Sequence, residues 1–220
     1  MGKNYIKKII CYGDSNTHGY NSKTMGRFSE EERWTCLLAK NLGDEYHVVE
    51  EGLEGRTTCY DDPLFEGLNG FTYLYPCIMT HKPVDLLIIM LGTNDVKQRF
   101  NSTPENVAKG MERLVQKALD TKIAFRKKPN VLIIAPPPIK PGYINSMVAG
   151  EMGIDCDKKS EKLAELYKEV ANRIGCHFLD ASQIDGVDMY PYDDMHLSLD
   201  AHKNLAKYLS ENIPELIEKE

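Results

Sequence analysis

Four short polar segments hold the side chains best able to do chemistry: Gly13-Asp14-Ser15, Glu54-Gly55-Arg56, Gly92-Thr93-Asn94-Asp95 and Asp193-Asp194-Met195-His196. Together they contain the parts of an acyl-transfer site. A serine hydroxyl is a weak nucleophile until a base stands within hydrogen-bond reach, so Ser15 needs a partner, and His196 is the candidate. An imidazole base needs its tautomer fixed, a role for Asp193, three residues upstream. The Asp-x-x-His spacing suits a loop turning into a helix, where one short segment presents both side chains. Charge developing on a carbonyl oxygen needs donors already in place. The backbone N–H groups of Ser15 and Gly55 and the side-chain amide of Asn94 are the candidates. A glycine at 55 lets substrate approach its N–H closely. His18 and Glu54 should flank Ser15 and are the candidate substrate-binding side chains. Asp14 and Asp95 are expected to hold their loops by hydrogen bonds to backbone, and Arg56 to pair with Asp61 or Asp62. Taken singly these are weak signals: Gly-Asp-Ser after a strand is ordinarily a turn. They gain force only if the fold brings them together.

The elements between them say that it does. Apolar runs at 5–10, 46–52, 84–91, 130–138 and 176–181 read as strands, and the run VDLLIIML is continuous, as a strand buried on both faces should be. Helical patterns separate them. WTCLLAKNLG ends in a glycine, and a second helix stops before Pro83. Thr103 precedes Pro104 as an N-cap before its first helical residue. Val107, Met111, Leu114, Val115, Ala118 and Leu119 follow at helical spacing. A further helix runs through Leu163, Tyr167 and Ile174, and Ser198 caps a last one carrying Ala201, Leu205, Leu209 and Ile213. Alternating strand and helix implies an α/β fold: a five-stranded parallel sheet with helices on both faces. Ligands meet such sheets at the carboxyl ends of the strands, where three of the four segments stand, and the fourth opens the last helix. The stretch 137–156 is the least regular and rich in apolar groups, so it is expected to form a lid or an intersubunit contact.

Composition narrows the rest. A chain of 220 residues with net charge −6 is long enough for one α/β domain and carries no basic excess that would favour nucleic acid. No apolar run has the length of a membrane span. The N-terminal lysines precede only a strand-length segment, which points to a cytoplasmic protein without a signal peptide. Six cysteines, none in a Cys-x-x-Cys pair, read as reduced packing residues. His47, His81, His177 and His202 read as surface or packing residues. A two-metal phosphoesterase needs several His and Asp ligands from different strand ends, and its Asp-x-His and Gly-Asn-His runs are absent. A binding module without catalysis has no need of a complete nucleophile, base and oxyanion set.

The order GDS, glycine, G-x-N-D, D-x-x-H resembles the SGNH hydrolases, also called GDSL-type esterases; Ser15, Gly55, Asn94 and His196 match the residues that name them. The strings YGDSNTHGY, RWTCLLAKNLG, EEGLEGRTT, PCIMTHKPVDLLIIMLGTND and APPP are similar to the bacterial arylesterase and acyltransferase branch, from about residue 8 to about residue 210. The resemblance implies one SGNH hydrolase domain over 1–220 with a flavodoxin-like three-layer sandwich. It implies ester hydrolysis through an acyl-enzyme with no cofactor and no metal, acyl transfer in some members, and a homo-oligomer acting on a small-molecule ester. His18 stands where that branch commonly has tryptophan, and Glu54 where it commonly has a small residue. Polar groups beside the acyl pocket favour short acyl groups, acetyl above all. Aryl or alkyl esters, carbohydrate O-acetyl esters and thioesters remain open as substrates.

Overall fold

The structure, a computed structural model, describes residues 5–218. β1 (Lys7–Gly13) leads into a one-turn helix α1 (Ser15–His18), followed by a two-stranded ribbon, β2 (Tyr20–Asn21) and β3 (Gly26–Arg27). α2 (Trp34–Leu42), β4 (Tyr46–Gly52), α3 (Gly70–His81) and β5 (Leu86–Met90) come next. Then follow α4 (Pro104–Asp120), β6 (Val131–Ala135), the short helices α5 (Ala149–Met152) and α6 (Cys156–Ser160), α7 (Leu163–Ile174), β7 (His177–Asp180) and α8 (Leu199–Glu218). The main sheet has the order β4-β1-β5-β6-β7 and all its pairings are parallel. The α/β fold expected from the alternation is therefore present, with its five parallel strands.

Two apolar layers cover the sheet. Ile10, Tyr12, Leu87, Ile89 and Ile133 pack with the inner faces of α3, α4 and α7. Ile9, Cys11, Leu86, Ile88 and Ile134 pack with α2 and α8, where Leu38, Leu205, Leu209 and Ile213 are fully buried. Each such side chain contributes roughly 1.5–3 kcal/mol by leaving water. All of Leu86–Met90 is buried, which is why that strand lacks the polar alternation of a one-sided sheet. Thr103 caps α4 by accepting from the N–H of Asn106 at 3.3 Å, with Pro104 at the first helical position. Ser198 accepts from the N–H of Ala201 at 3.0 Å at the start of α8. Arg33, just before α2, ties that helix to β4 by donating to both oxygens of Glu50, at 2.6 and 2.8 Å, and Thr35 donates to the same carboxylate. Burial opposes ionisation of Glu50, but these bonds outweigh it and hold the carboxyl down at about 2.

The polar run after β1 is a helix rather than an exit turn. Asp14 caps it, its carboxylate accepting from the N–H of Asn16 at 2.9 Å, and Gly19 ends it in the left-handed region at φ +86°. The helix lies against the end of β4. A Cβ on Gly52 would stand 2.2 Å from the backbone nitrogen of His18, so only glycine permits this approach.

The stretch 137–156 is anchored on the core: Tyr143 and Met152 are buried, and the Tyr143 hydroxyl donates to the Gly153 carbonyl at 2.8 Å. Ile144 and Met147 remain exposed. No helix among the described residues is long and apolar enough to cross a membrane.

Candidate active site

Ser15 opens α1, and the first N–H groups of a helix have no partner within it. The residue therefore presents its hydroxyl and its backbone N–H from one fixed position. His196 lies in a loop folded back on itself, where the Tyr190 N–H donates to the His196 carbonyl at 2.6 Å and the Asp194 N–H to the Tyr190 carbonyl at 2.9 Å. Asp194 takes a left-handed conformation, φ +57°, in this turn. The loop places His196 Nε2 2.8 Å from Ser15 Oγ and Nδ1 2.6 Å from Asp193 Oδ2. Because Asp193 can only accept, Nδ1 carries the proton and Nε2 is left to accept from the serine. The second oxygen, Asp193 Oδ1, accepts the backbone N–H groups of Met195 at 3.1 Å and His196 at 3.0 Å. Burial works against charge on Asp193, yet the bonds from His196 and the backbone prevail and keep its carboxyl below the ordinary range.

Asn16, which sequence reasoning passed over, joins the two halves. Its side-chain oxygen accepts the Leu197 N–H at 2.8 Å and its amide donates to the Met195 carbonyl at 3.4 Å, so the Ser15 helix is bonded to both sides of His196. The Asn16 carbonyl in turn accepts from the buried Trp34 indole at 3.0 Å. The signal was the polar Asn beside the serine in a buried one-turn helix. Tyr20 packs on the imidazole, with ring centroids 4.6 Å apart.

Asn94 stands after β5, its side-chain amide donating to the Arg56 carbonyl at 3.2 Å and lying at 3.5 Å from Asp14 Oδ2. Gly55 sits at φ +81°, a left-handed conformation open to glycine. Arg56 corrects an expectation: it pairs with neither Asp61 nor Asp62. Its guanidinium is buried, donates to the carbonyls of Gly13 and Glu51, and lies over the rings of Tyr12 and Tyr73 at 4.2 and 5.3 Å. Asp62 is taken by Arg99 at 2.9 Å. Those carbonyls end strands β1 and β4, a need no sequence pattern announces. Asp95 accepts from the Thr58 N–H and hydroxyl at 2.9 and 2.5 Å, tying two strand-end loops together. Burial pushes Asp14 up to about 6 and Asp95 up to about 7, against the bonds that favour their ionised forms.

Ser15, Gly55, Asn94 and His196 line one open cavity of about 490 Å³, with Tyr20, Leu68, Met152 and Met195 among its walls. Glu54 lines it and His18 does not; the His18 ring turns to Glu54, Nε2 to Oε1 at 3.4 Å. The 149–152 helix supplies Met152 and Glu151, and Glu151 bonds Lys97, a buried lysine on the same wall, at 2.9 Å. A larger groove of about 700 Å³ along 137–141 and 182–188 holds no histidine beside its serine.

A model of the GDSL-like lipase/acylhydrolase family matches residues 11–203. No curated protein matches the chain. Among solved structures, the native aryl esterase of M. smegmatis is 36% identical, over 96% of this chain and 99% of that one, with a TM-score of 0.87. A carbohydrate acetylesterase from Sinorhizobium meliloti is 37% identical over 96% and 99%, with a TM-score of 0.88. A lipase/acylhydrolase from Enterococcus faecalis, 20% identical over 95% and 96% with a TM-score of 0.70, shares the fold. With the match over most of its length and these esterases so near it, the chain belongs to the GDSL-like lipase/acylhydrolase family and is a carboxylic ester hydrolase.

Proposed function

We propose that the protein cleaves short-chain esters, acetyl esters above all, through an acyl-enzyme on Ser15. The observation that carries this is the unbroken relay from Ser15 Oγ through His196 to Asp193 at the wall of the cavity. His196 Nε2 takes the serine proton as Oγ attacks the ester carbonyl. Asp193 holds the imidazole in the accepting tautomer and stabilises the imidazolium that forms. The N–H groups of Ser15 and Gly55 and the Asn94 amide receive the oxyanion, each donor fixed before the reaction begins. His196 returns the proton to the leaving alcohol, and water, activated by the same imidazole, then releases the acid. An alcohol in the place of that water gives acyl transfer.

The short-chain preference rests on Glu54 and the Lys97–Glu151 pair in the cavity wall. The Glu54 and Glu151 carboxylates, 54% and 41% exposed, would have to give up hydration to cover a long chain, whereas each added methylene contributes only about 0.8 kcal/mol. A polar alcohol portion such as a sugar finds hydrogen-bond partners there, and an aryl one meets the apolar walls Phe65, Leu68 and Met152; an aryl esterase and a carbohydrate acetylesterase are among the neighbours. His18 acts on this preference through Glu54. The exposed Leu64, Phe65, Ile144 and Met147 are apolar groups a homo-oligomer would cover, and a cytoplasmic location remains part of this reading. Labelling with a fluorophosphonate probe tests the mechanism: wild type is expected to react, and Ser15→Ala to lose both labelling and ester turnover. Undiminished turnover in Ser15→Ala would refute it.

A further inference from the structure

Glu51, Cys77 and His81 meet on the α3 side of the sheet, apart from the Ser15–His196–Asp193 relay. Cys77 and His81 are one turn apart in α3, a spacing that puts both on one face of the helix. Glu51 reaches them from the end of β4. His81 Nε2 is 2.8 Å from Glu51 Oε1, and the donor atoms of all three residues lie within 4.8 Å of one another. We propose that these residues form a zinc site, with thiolate, imidazole and carboxylate ligands and a fourth position left to water.

The geometry is close to what the ion needs. Bonds of about 2.0–2.3 Å in a tetrahedron place ligand atoms roughly 3.3–3.6 Å apart. The His81–Glu51 contact has to widen by less than about 1 Å, and the Cys77 sulfur, within 4.8 Å of its partners, to draw in by at most about 1.5 Å, changes a side-chain rotation supplies. The donor set selects the metal: sulfur and imidazole suit zinc and disfavour magnesium and calcium, which take oxygen. Access is built in, since the side chains of His81 and Glu51 are 28% and 15% exposed while Cys77 is buried behind them. Burial pushes the Cys77 thiol up to about 12, so without metal it keeps its proton. On binding, the S–H bond is replaced by S–Zn and that proton leaves to solvent. His81 ligates through Nε2 and carries its proton on Nδ1. Two cations oppose the ion: the Arg56 guanidinium, held over Tyr73 and bonded to the Glu51 carbonyl, and the Lys8 ammonium, which donates to the His81 carbonyl at 2.8 Å. The site is therefore weaker than an all-thiolate zinc centre.

Cobalt(II) makes the test specific, because its bond to a thiolate gives a near-ultraviolet charge-transfer band. The full chain, stripped with chelator and kept reduced, is titrated with Co²⁺ at neutral pH, and zinc is then added to displace it. Wild type is expected to bind one equivalent with that band, and zinc to abolish it. Cys77→Ser is expected to lose the band. His81→Gln is expected to bind at least tenfold more weakly, since loss of even an outer partner of a metal ligand costs roughly 10- to 100-fold. Ester turnover by both metal-free variants shows that they are folded. No band in wild type, or the same band in Cys77→Ser, overturns the proposal. If Cys77→Ser does not fold, unweakened binding by His81→Gln overturns it.

Discussion

Replacing Asp193 by asparagine is expected to lower kcat by about 10⁴, roughly 5.5 kcal/mol of barrier, with little change in KM. The hydrogen bonds around the carboxylate show why so small a change is so costly. Oδ1 accepts two backbone N–H groups, from Met195 and His196, while Oδ2 accepts Nδ1–H of the imidazole at 2.6 Å. An asparagine has one acceptor and one donor end. Two amide protons fix its oxygen at the Oδ1 position, so its NH₂ must face Nδ1. The imidazole then has to accept at Nδ1 and carry its proton on Nε2, against Ser15 Oγ, where it can take no proton. Asp193→Ala removes more atoms but lets the ring adopt either tautomer. It is therefore expected to be less damaging than Asp193→Asn. Steady-state hydrolysis of p-nitrophenyl acetate measures both, with thermal melting to show that the asparagine variant keeps its loop. An asparagine variant within tenfold of wild type, or an alanine variant slower than the asparagine one, refutes this account of the relay.

Asn94→Ala is expected to lose roughly 10² to 10³ in kcat, since one oxyanion donor goes; a change confined to KM in the same assay would make Asn94 a ground-state contact. With a common leaving group, kcat/KM is expected to fall steadily from acetate to octanoate, and Glu54→Val to flatten the slope; a wild-type preference for octanoate would rule out the short-chain reading. Stability is expected to be greater at about pH 5 than at pH 8, read as urea midpoints. Asp14 and Asp95 have folded values of about 6 and about 7, above the ordinary 3.8, so their protonated forms favour the fold and that contribution is lost as pH rises through those values. His202, buried and lowered to about 3, works the other way below its ordinary 6.5, as do His18 and His177, which burial lowers by smaller shifts; the two carboxyls lie further from their ordinary values over this range. A midpoint that rises steadily from pH 5 to pH 8 would contradict this.

Much of this was legible because it depends on short patterns with a direct physical cause. β5 and β6 announce themselves as LLIIM and VLIIA, since strands covered on both faces have no polar side. α4 announces its start through Thr103 and Pro104. Ser15, His196 and Asp193 could be picked out because their chemistry needs those residue types and the parallel sheet collects strand ends. What stayed hidden depends on partners distant in sequence. The helix at Ser15 has only one turn and no apolar period, although Asp14 was available as a cap. Tyr20–Asn21 and Gly26–Arg27 are too short to alternate. His18 turned toward Glu54 and the backbone of Gly52, partners more than thirty residues away in the chain. Arg56 bonded to carbonyls, which every residue has, so nothing in the sequence set its true partners apart from Asp61 and Asp62.

Arg56 also explains how a site at the edge of a sheet can hold the proposed oxyanion donor, Asn94, still. The Asn94 amide is anchored on the carbonyl of Arg56, and the Arg56 guanidinium is anchored on carbonyls of Gly13 and Glu51. Gly13 is also two residues before Ser15, so one side chain references the nucleophile's strand and the oxyanion amide to the same frame. Both bonds leave one nitrogen, Nη1, and the planar guanidinium lies over Tyr12, a stacked support that a lysine's ammonium does not offer. The arrangement costs stability: Asp14 and Asp95 are buried carboxyls held far from their ordinary values, and removing a charge from water is expensive even when it is hydrogen-bonded. An apolar strand edge would be cheaper to fold. It could not aim an amide at an oxyanion, because the orientation of a buried dipole is fixed only by other polar groups. The polar burial around Ser15 is thus the structural cost of preorganisation, and the layers beneath it, with β5 wholly buried, are what the fold has to offset it.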